Sequence, residues 1–239
     1  MSWASVCAAQ GTVSERYLFA AVNAERIQRG LPELRWDDQL YRAAEMHARQ
    51  MAEHRAISHQ FTGESDLAAR GQLVGAHFST IAENVAMAPT AVRIHDAWMN
   101  SPHHRDNILD RTVDSVAIRV LARDGELYAV EDFDRSVAGL SLDEQEQQVG
   151  ALVHHWAPGM LMADDATDAR ATCARESGYV GDRMPWFVMR FTSSNLTQLP
   201  EQLTSKLKTG KYKQAAIGAC AARGNGAFTA FQVAVLLYP

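Results

Sequence analysis

The chain has 239 residues, 47% of them hydrophobic and 21% charged, with a formal net charge of -5. That composition belongs to a folded protein rather than a disordered one, and the length suffices for one large domain or two modest ones. Weak acidity without a basic stripe excludes the electrostatic footprint of a nucleic-acid binder, and no apolar run approaches the roughly 18 residues of a transmembrane segment.

Met1 to Gln10 mixes small and apolar residues. It is too short for a whole signal peptide and lacks the charged start, so it reads either as the tail of one or as a plain N-terminus. From Val13 to about Gly30, Leu18, Ala21 and Val22 form an apolar stripe. This predicts a helix capped by Ser14 and stopped by Gly30 and Pro32. A second helix is expected from Asp37 or Asp38, because Leu40, Ala43, Ala44, His47, Ala48 and Met51 recur at helical spacing. Periodicity is lost between Ala56 and Ala82, where Gly63, Gly71 and Gly75 punctuate the chain. An irregular segment of that length inside a domain is often functional.

A third helix is expected over Thr90 to Asn100, ending at Ser101-Pro102, because the residue before a proline disfavours helix. Alternation over Val113 to Val120, a turn at Gly125 and the run Leu127 to Phe133 predict a β-hairpin. A composition shift follows, and a domain boundary is placed at Ser136 to Leu140, giving domains at 14–136 and 140–239. The second part predicts helices over Leu142 to Trp156 and Leu196 to Leu207, and strands over Trp186 to Thr192, Ala215 to Ala221 and Phe228 to Tyr238. The last strand is too apolar for an exposed edge and is expected to be central in its sheet. No internal repeat is visible.

The three cysteines are Cys7, Cys173 and Cys220, none in a C-x-x-C pair that would suggest a cysteine zinc site. Cys173 and Cys220 can pair with each other, leaving Cys7 over. The other reading is three small buried thiols. Lys206, Lys208, Lys211 and Lys213 form the one local basic cluster, read as a solvated face or as a binder of an anionic envelope polymer. Asp164, Asp165 and Asp168 lack the pattern of a calcium loop and read as a surface turn.

Three short motifs carry candidate chemistry. They are Ile57-Ser58-His59, then Ala82-Glu83-Asn84-Val85, then the run from Trp98 through Ser101-Pro102-His103-His104-Arg105 to Asn107-Ile108-Leu109. Each is weak alone. In this order, after Asn23-Ala24-Glu25-Arg26 and Leu40 to Ala44, they resemble the CAP superfamily of cysteine-rich secretory, antigen 5 and pathogenesis-related 1 proteins, in its short bacterial SCP-like form. The resemblance covers about residues 14–135.

The resemblance implies an α/β fold, an α–β–α sandwich, followed here by a second, smaller mixed α/β domain of unrecognised family. It implies a cleft in which His59, Glu83 and His104 meet. A second glutamate of eukaryotic members falls at Ser101 in this chain, a departure that weakens any activity needing four polar groups. It also implies a secreted or periplasmic location, with which a Cys173–Cys220 bridge agrees.

Two imidazoles and a carboxylate are a plausible set for Zn²⁺ or another divalent metal with an open water position. Without metal, Glu83 would favour an imidazolium, and a His–Glu pair could serve as general base with Ser101 or Ser58 as candidate nucleophile. Asn23, Arg26 and Asn107 read as scaffold, Trp36 and Trp98 as core, His47 as a satisfied core histidine, and His103 as pointing away. Three functions stay open: binding of a lipid, peptide or cell-envelope component; a peptidase-like hydrolase using the same residues; and a non-catalytic structural or interaction protein.

Overall fold

A computed structural model describes residues 11–222 and 228–239. Cys7 and the first ten residues lie outside the described part. The chain divides into two compact units, the first ending at Ser136 and the second running from Val137 to Pro239. Helices and two mixed sheets make the fold α/β throughout.

The first unit opens with α1 (Val13–Gln28), β1 (Arg35–Trp36) and α2 (Asp38–His54). The cap of α1 is Thr12 rather than Ser14, in a reciprocal capping box with Glu15 that satisfies two otherwise unpaired backbone donors. Asp37 caps α2 through the amides of Gln39 and Leu40. The segment expected to be irregular contains α3 (Leu67–Leu73) and the start of an 11-residue strand, β2 (Phe78–Ala88). Helices α4 (Ala91–Asn100) and α5 (Pro102–Ile108) follow, then β3 (Ser115–Arg123) and β4 (Glu126–Ser136). Pro102 ends α4 as expected and also starts α5, since proline suits the first turn, where its missing N–H costs nothing.

The sheet order is β1-β3-β4-β2, with β1 parallel to β3 and the other pairs antiparallel. One face buries Val85, Tyr128 and Val130 against Ala44, Ala48 and Met51 of α2. The opposite face packs Ala86, Ile118, Ala129 and Phe133 against Leu18, Val22, Ile94 and Trp98 of α1 and α4. Each fully buried Leu or Val contributes roughly 1.5–3 kcal/mol, so this two-sided burial holds the sandwich. Helix-spaced apolar stripes on α1, α2 and α4 leave no other stable arrangement than helices on both faces.

The second unit comprises α6 (Leu142–Trp156), β5 (Leu161–Met162), α7 (Thr167–Cys173), β6 (Phe187–Ser193), α8 (Glu201–Leu207), β7 (Gln214–Cys220) and β8 (Phe231–Tyr238). Its sheet order is β5-β7-β8-β6, which places the wholly buried β8 centrally, as its apolarity demands. Cys173 ends α7 and is bonded to Cys220 at the end of β7 with Cα atoms 5.8 Å apart. The Asp164–Asp168 region is the start of this helix, with Asp165 accepting from the Thr167 amide and hydroxyl.

Candidate polar site of the first unit

Glu83 sits in the middle of β2, opposite Asp132 of β4, so both side chains project onto the α2 face. The next residue, Asn84, lies opposite Glu131 on the other face. The strand therefore carries acidic and amide groups into both layers of the sandwich, and the surrounding loops compensate them.

Glu83 is nearly fully buried and both its oxygens are used. Oε1 faces His59 Nδ1 at 2.8 Å, and Oε2 takes an ion pair from Arg70 Nη2. Arg70, on α3, is fully buried and also donates to the carbonyls of His59 and Ser65. It thus fixes both the carboxylate and the loop that carries the histidine. His47, fully buried on α2, spans Glu64 Oε1 at 2.7 Å and the Ser58 carbonyl at 2.6 Å, which holds the same loop from beneath. His59 itself is exposed. With Nδ1 committed to Glu83, its Nε2 edge is the one left open.

His104 arrives from the other side, on α5. Asn84 Nδ2 donates to its carbonyl, and Asn107 Nδ2 donates to the Glu83 carbonyl and to Asn84 Oδ1. These bonds staple α5 to β2 through the His104 backbone carbonyl and the Asn107 side chain. The two imidazoles are driven apart in acidity. The hydrogen bond that His59 donates to Glu83 is the largest influence on His59 and raises its pKa, whereas burial, then the charges of His59 and His103, lower that of His104. These influences favour the protonated form of His59 and the neutral form of His104.

Behind Glu83 lies a second set of acids that the motif reading missed. Asp132 and Glu131 are fully buried. Burial, reinforced by the charge of Glu83, pushes Asp132 well above the usual carboxylate range, and burial raises Glu131 to about 8 despite the bond from Asn84. Neither Asp132 oxygen has a hydrogen-bond partner, so the neutral, protonated form is the one that can share a dry layer with Glu83. The signal was present in the sequence as consecutive acids inside an otherwise apolar strand, Ala129-Val130-Glu131-Asp132-Phe133.

The remaining candidates have structural duties. Asn23 bonds both backbone groups of Leu34, and Arg26 donates to the carbonyls of Pro32, Ile108 and Asp110. Ser58 Oγ is used within its own turn, donating to the Gln60 carbonyl, and Ser101 stands at the N-cap of α5. Trp98 is core, and His103 is exposed. The set does not fit a three-ligand zinc centre. Glu83 is bound on both oxygens and so is not free to serve as a third ligand, and among the described residues no group of three or more His, Cys, Asp or Glu is placed to hold a metal ion.

Residues 19–133 match the cysteine-rich secretory protein family, CAP. An uncharacterized Bacillus subtilis protein, YkwD, is 31% identical over 97 residues, which is 40% of this chain and 38% of that protein, so well under half the relative's length is spanned. An outer surface protein of Borrelia burgdorferi is similar in structure, with 24% identity and a TM-score of 0.49, covering 52% of this chain and 92% of that one. An extracellular SCP-domain protein of Bacillus anthracis gives 27% identity and a TM-score of 0.47, covering 52% and 40% respectively. On its motifs and its family match, the first unit, residues 19–133, belongs to the cysteine-rich secretory protein (CAP) family.

Proposed function

We propose that the first unit binds an anionic or strongly accepting group of a lipid, peptide or cell-envelope fragment, with His59 as the charged donor. The observation that carries this reading is the His59–Glu83 pair, in which a buried carboxylate, itself locked by Arg70, holds one imidazole nitrogen and turns the other outward. A fixed imidazolium beside a neutral imidazole offers one charged donor and one neutral partner, a pair suited to gripping a carboxylate or phosphate. The same split supports a second reading, proton transfer in a hydrolase, because groups whose acidities are pushed apart suit acid and base roles. The binding reading stands first because the Ser58 hydroxyl is engaged in its own turn and supplies no activated nucleophile.

An extracytoplasmic location belongs to the proposal. The Cys173–Cys220 bridge supports it, since such bonds persist in oxidising compartments. Among the described residues no helix is long and apolar enough to cross a membrane.

The test is a titration of the intact chain with three probes: a fatty-acid anion, an acidic peptide and a soluble peptidoglycan fragment, followed by histidine NMR. One probe class should shift the His59 and His104 signals. Its affinity should rise as pH falls through the His59 transition and drop at least tenfold in His59→Gln. If none of the three moves either histidine, or the best binder is indifferent to His59→Gln, the binding reading is wrong. Cleavage of the peptide or fragment, lost in Glu83→Gln, would favour the second.

A further inference from the structure

We infer that the second unit repeats the fold of the first, with the polar centre replaced by aliphatic core, so that the His/Glu chemistry of the chain is confined to the first unit. The strand orders are the same: β1-β3-β4-β2 in one unit, β5-β7-β8-β6 in the other. In each, the first strand has two residues and runs parallel to the third, and the remaining pairs are antiparallel. Apart from the additional α3 of the first unit, the chain order of elements also agrees, a helix first, then a short strand, a helix, a strand, a helical segment (α4 and α5 in one, α8 in the other) and two strands.

Individual hydrogen bonds repeat at the positions this register equates. Arg35 N donates to the Asp114 carbonyl and Asp37 N to that of Val116, while Leu161 N donates to Lys213 and Ala163 N to Ala215. Asp114 N donates to the Asp134 carbonyl, and its counterpart Lys213 N donates to that of Tyr238. Both opening helices carry a capping box, Thr12 with Glu15 and Ser141 with Glu144. In both, a carboxylate of the first helix accepts from an amide of the third strand: Val120 N to Glu15 Oε1 at 3.0 Å, and Ala219 N to Glu146 Oε1 at 2.8 Å. Val120 and Ala219 are equivalent in the register, each five residues after the position paired with Arg35 or Leu161, Ser115 and Gln214 respectively.

The same register locates the erased site. Glu83 and its partner Asp132 correspond to Val188 and its partner Leu236, and Asn84 with Glu131 corresponds to Met189 with Val235. Each replacement keeps its face. Val188 and Leu236 pack in the layer under α7, as Glu83 and Asp132 lie under α2, whereas Met189 and Val235 pack in the layer under α6 and α8. Burying aliphatic groups there removes the need for the compensating Arg70, His47 and Asn107, and none of these has a counterpart to serve. The helix equivalent to α2 has shrunk from 17 residues to 7, and Gly218 lets it approach so closely that a Cβ at that position would run into the Ala169–Arg170 backbone. The disulfide ties the end of this short helix to Cys220, whose counterpart Leu121 packs on α2 by apolar contact. Here a covalent bond replaces the area lost with the missing turns. No repeat is visible in the sequence because the shared features are backbone register and one carboxylate contact, not side-chain identity.

The experiment is amide hydrogen exchange on the intact chain, and it does not depend on what the first unit binds. Repetition predicts that β8 is protected along its whole length, as β4 is, while β6, like β2, shows the alternate protection of an edge strand. Glu146→Ala should speed exchange at Ala219 about tenfold, and Glu146→Gln, which keeps an acceptor oxygen, should restore it. Histidine-directed probes that shift His59 should leave the Val188 and Leu236 methyl signals in place. Fast exchange along one side of β8, or Ala219 protection indifferent to Glu146→Ala, would overturn the inference. So would a probe that enters the Val188–Leu236 layer.

Discussion

One edge of the His59 ring is held by Glu83 while the side chain remains 61% exposed, a combination that separates a presented histidine from an ordinary surface one. The residues behind it are under electrostatic tension. Glu131 has its pKa raised from 4.5 to about 8, so the folded state holds that proton more tightly than the unfolded chain does. A carboxyl shifted in this direction favours folding below pH 4.5, and its contribution is lost as pH climbs through 4.5 to about 8. The full interval corresponds to roughly 4–5 kcal/mol. Asp132 and Asp134 are shifted the same way, by burial first, so wild-type stability should fall as pH rises from acid to mildly basic. Glu131→Gln should flatten that fall measurably. Urea unfolding at pH 5, 6.5 and 8 measures it, and parallel slopes for the two proteins would contradict the assignment. His59, Glu83 and His104 were legible because their motifs come in a recognisable order. Arg70, Asp132 and Glu131 were not, since a lone arginine in a polar stretch and acids in a strand carry meaning only once β2 and β4 are paired.

Elements driven by periodicity were readable. Helices α1, α2, α4 and α6 and the β3–β4 hairpin follow from apolar spacing and turn chemistry, with boundaries shifted by a few residues. Strand β2 was not read, because its buried central pair, Glu83-Asn84, interrupts the alternation that marks a strand. The interruption is the site itself. Among the described residues, four helices have 7 residues; α8 falls inside the helix expected over Leu196 to Leu207, whereas α3, α5 and α7 gave no periodic signal, and helices this short owe their stability to tertiary contacts. For α7 the main such contact is covalent. The bridge closes a sequence separation of 47, and the chain-entropy relation gives about 4 kcal/mol for it. Replacing Cys173 and Cys220 together with alanine should lower the stability of the second unit by about that amount while leaving the His59 and His104 signals unchanged. An unchanged denaturation midpoint for that unit would show that α7 holds by packing alone.

At the scale of the whole chain, one fold is used twice under different chemical demands. The first unit keeps a polar layer that costs stability and must be satisfied by Arg70, His47, Asn84 and Asn107. The second fills the same positions with Val188, Leu236, Met189 and Val235. Buried polar networks are retained where their chemistry is needed, which places the functional weight on the first unit. The central claim is that Glu83 charges His59 while burial keeps His104 neutral, and an NMR pH titration of the chain's 9 histidines tests it most directly. The account predicts that His59 titrates above the ordinary histidine value of 6.5 and His104 below it, and that Glu83→Gln moves His59 back down toward it. Coincident midpoints for the two, or an His59 midpoint untouched by Glu83→Gln, would contradict it.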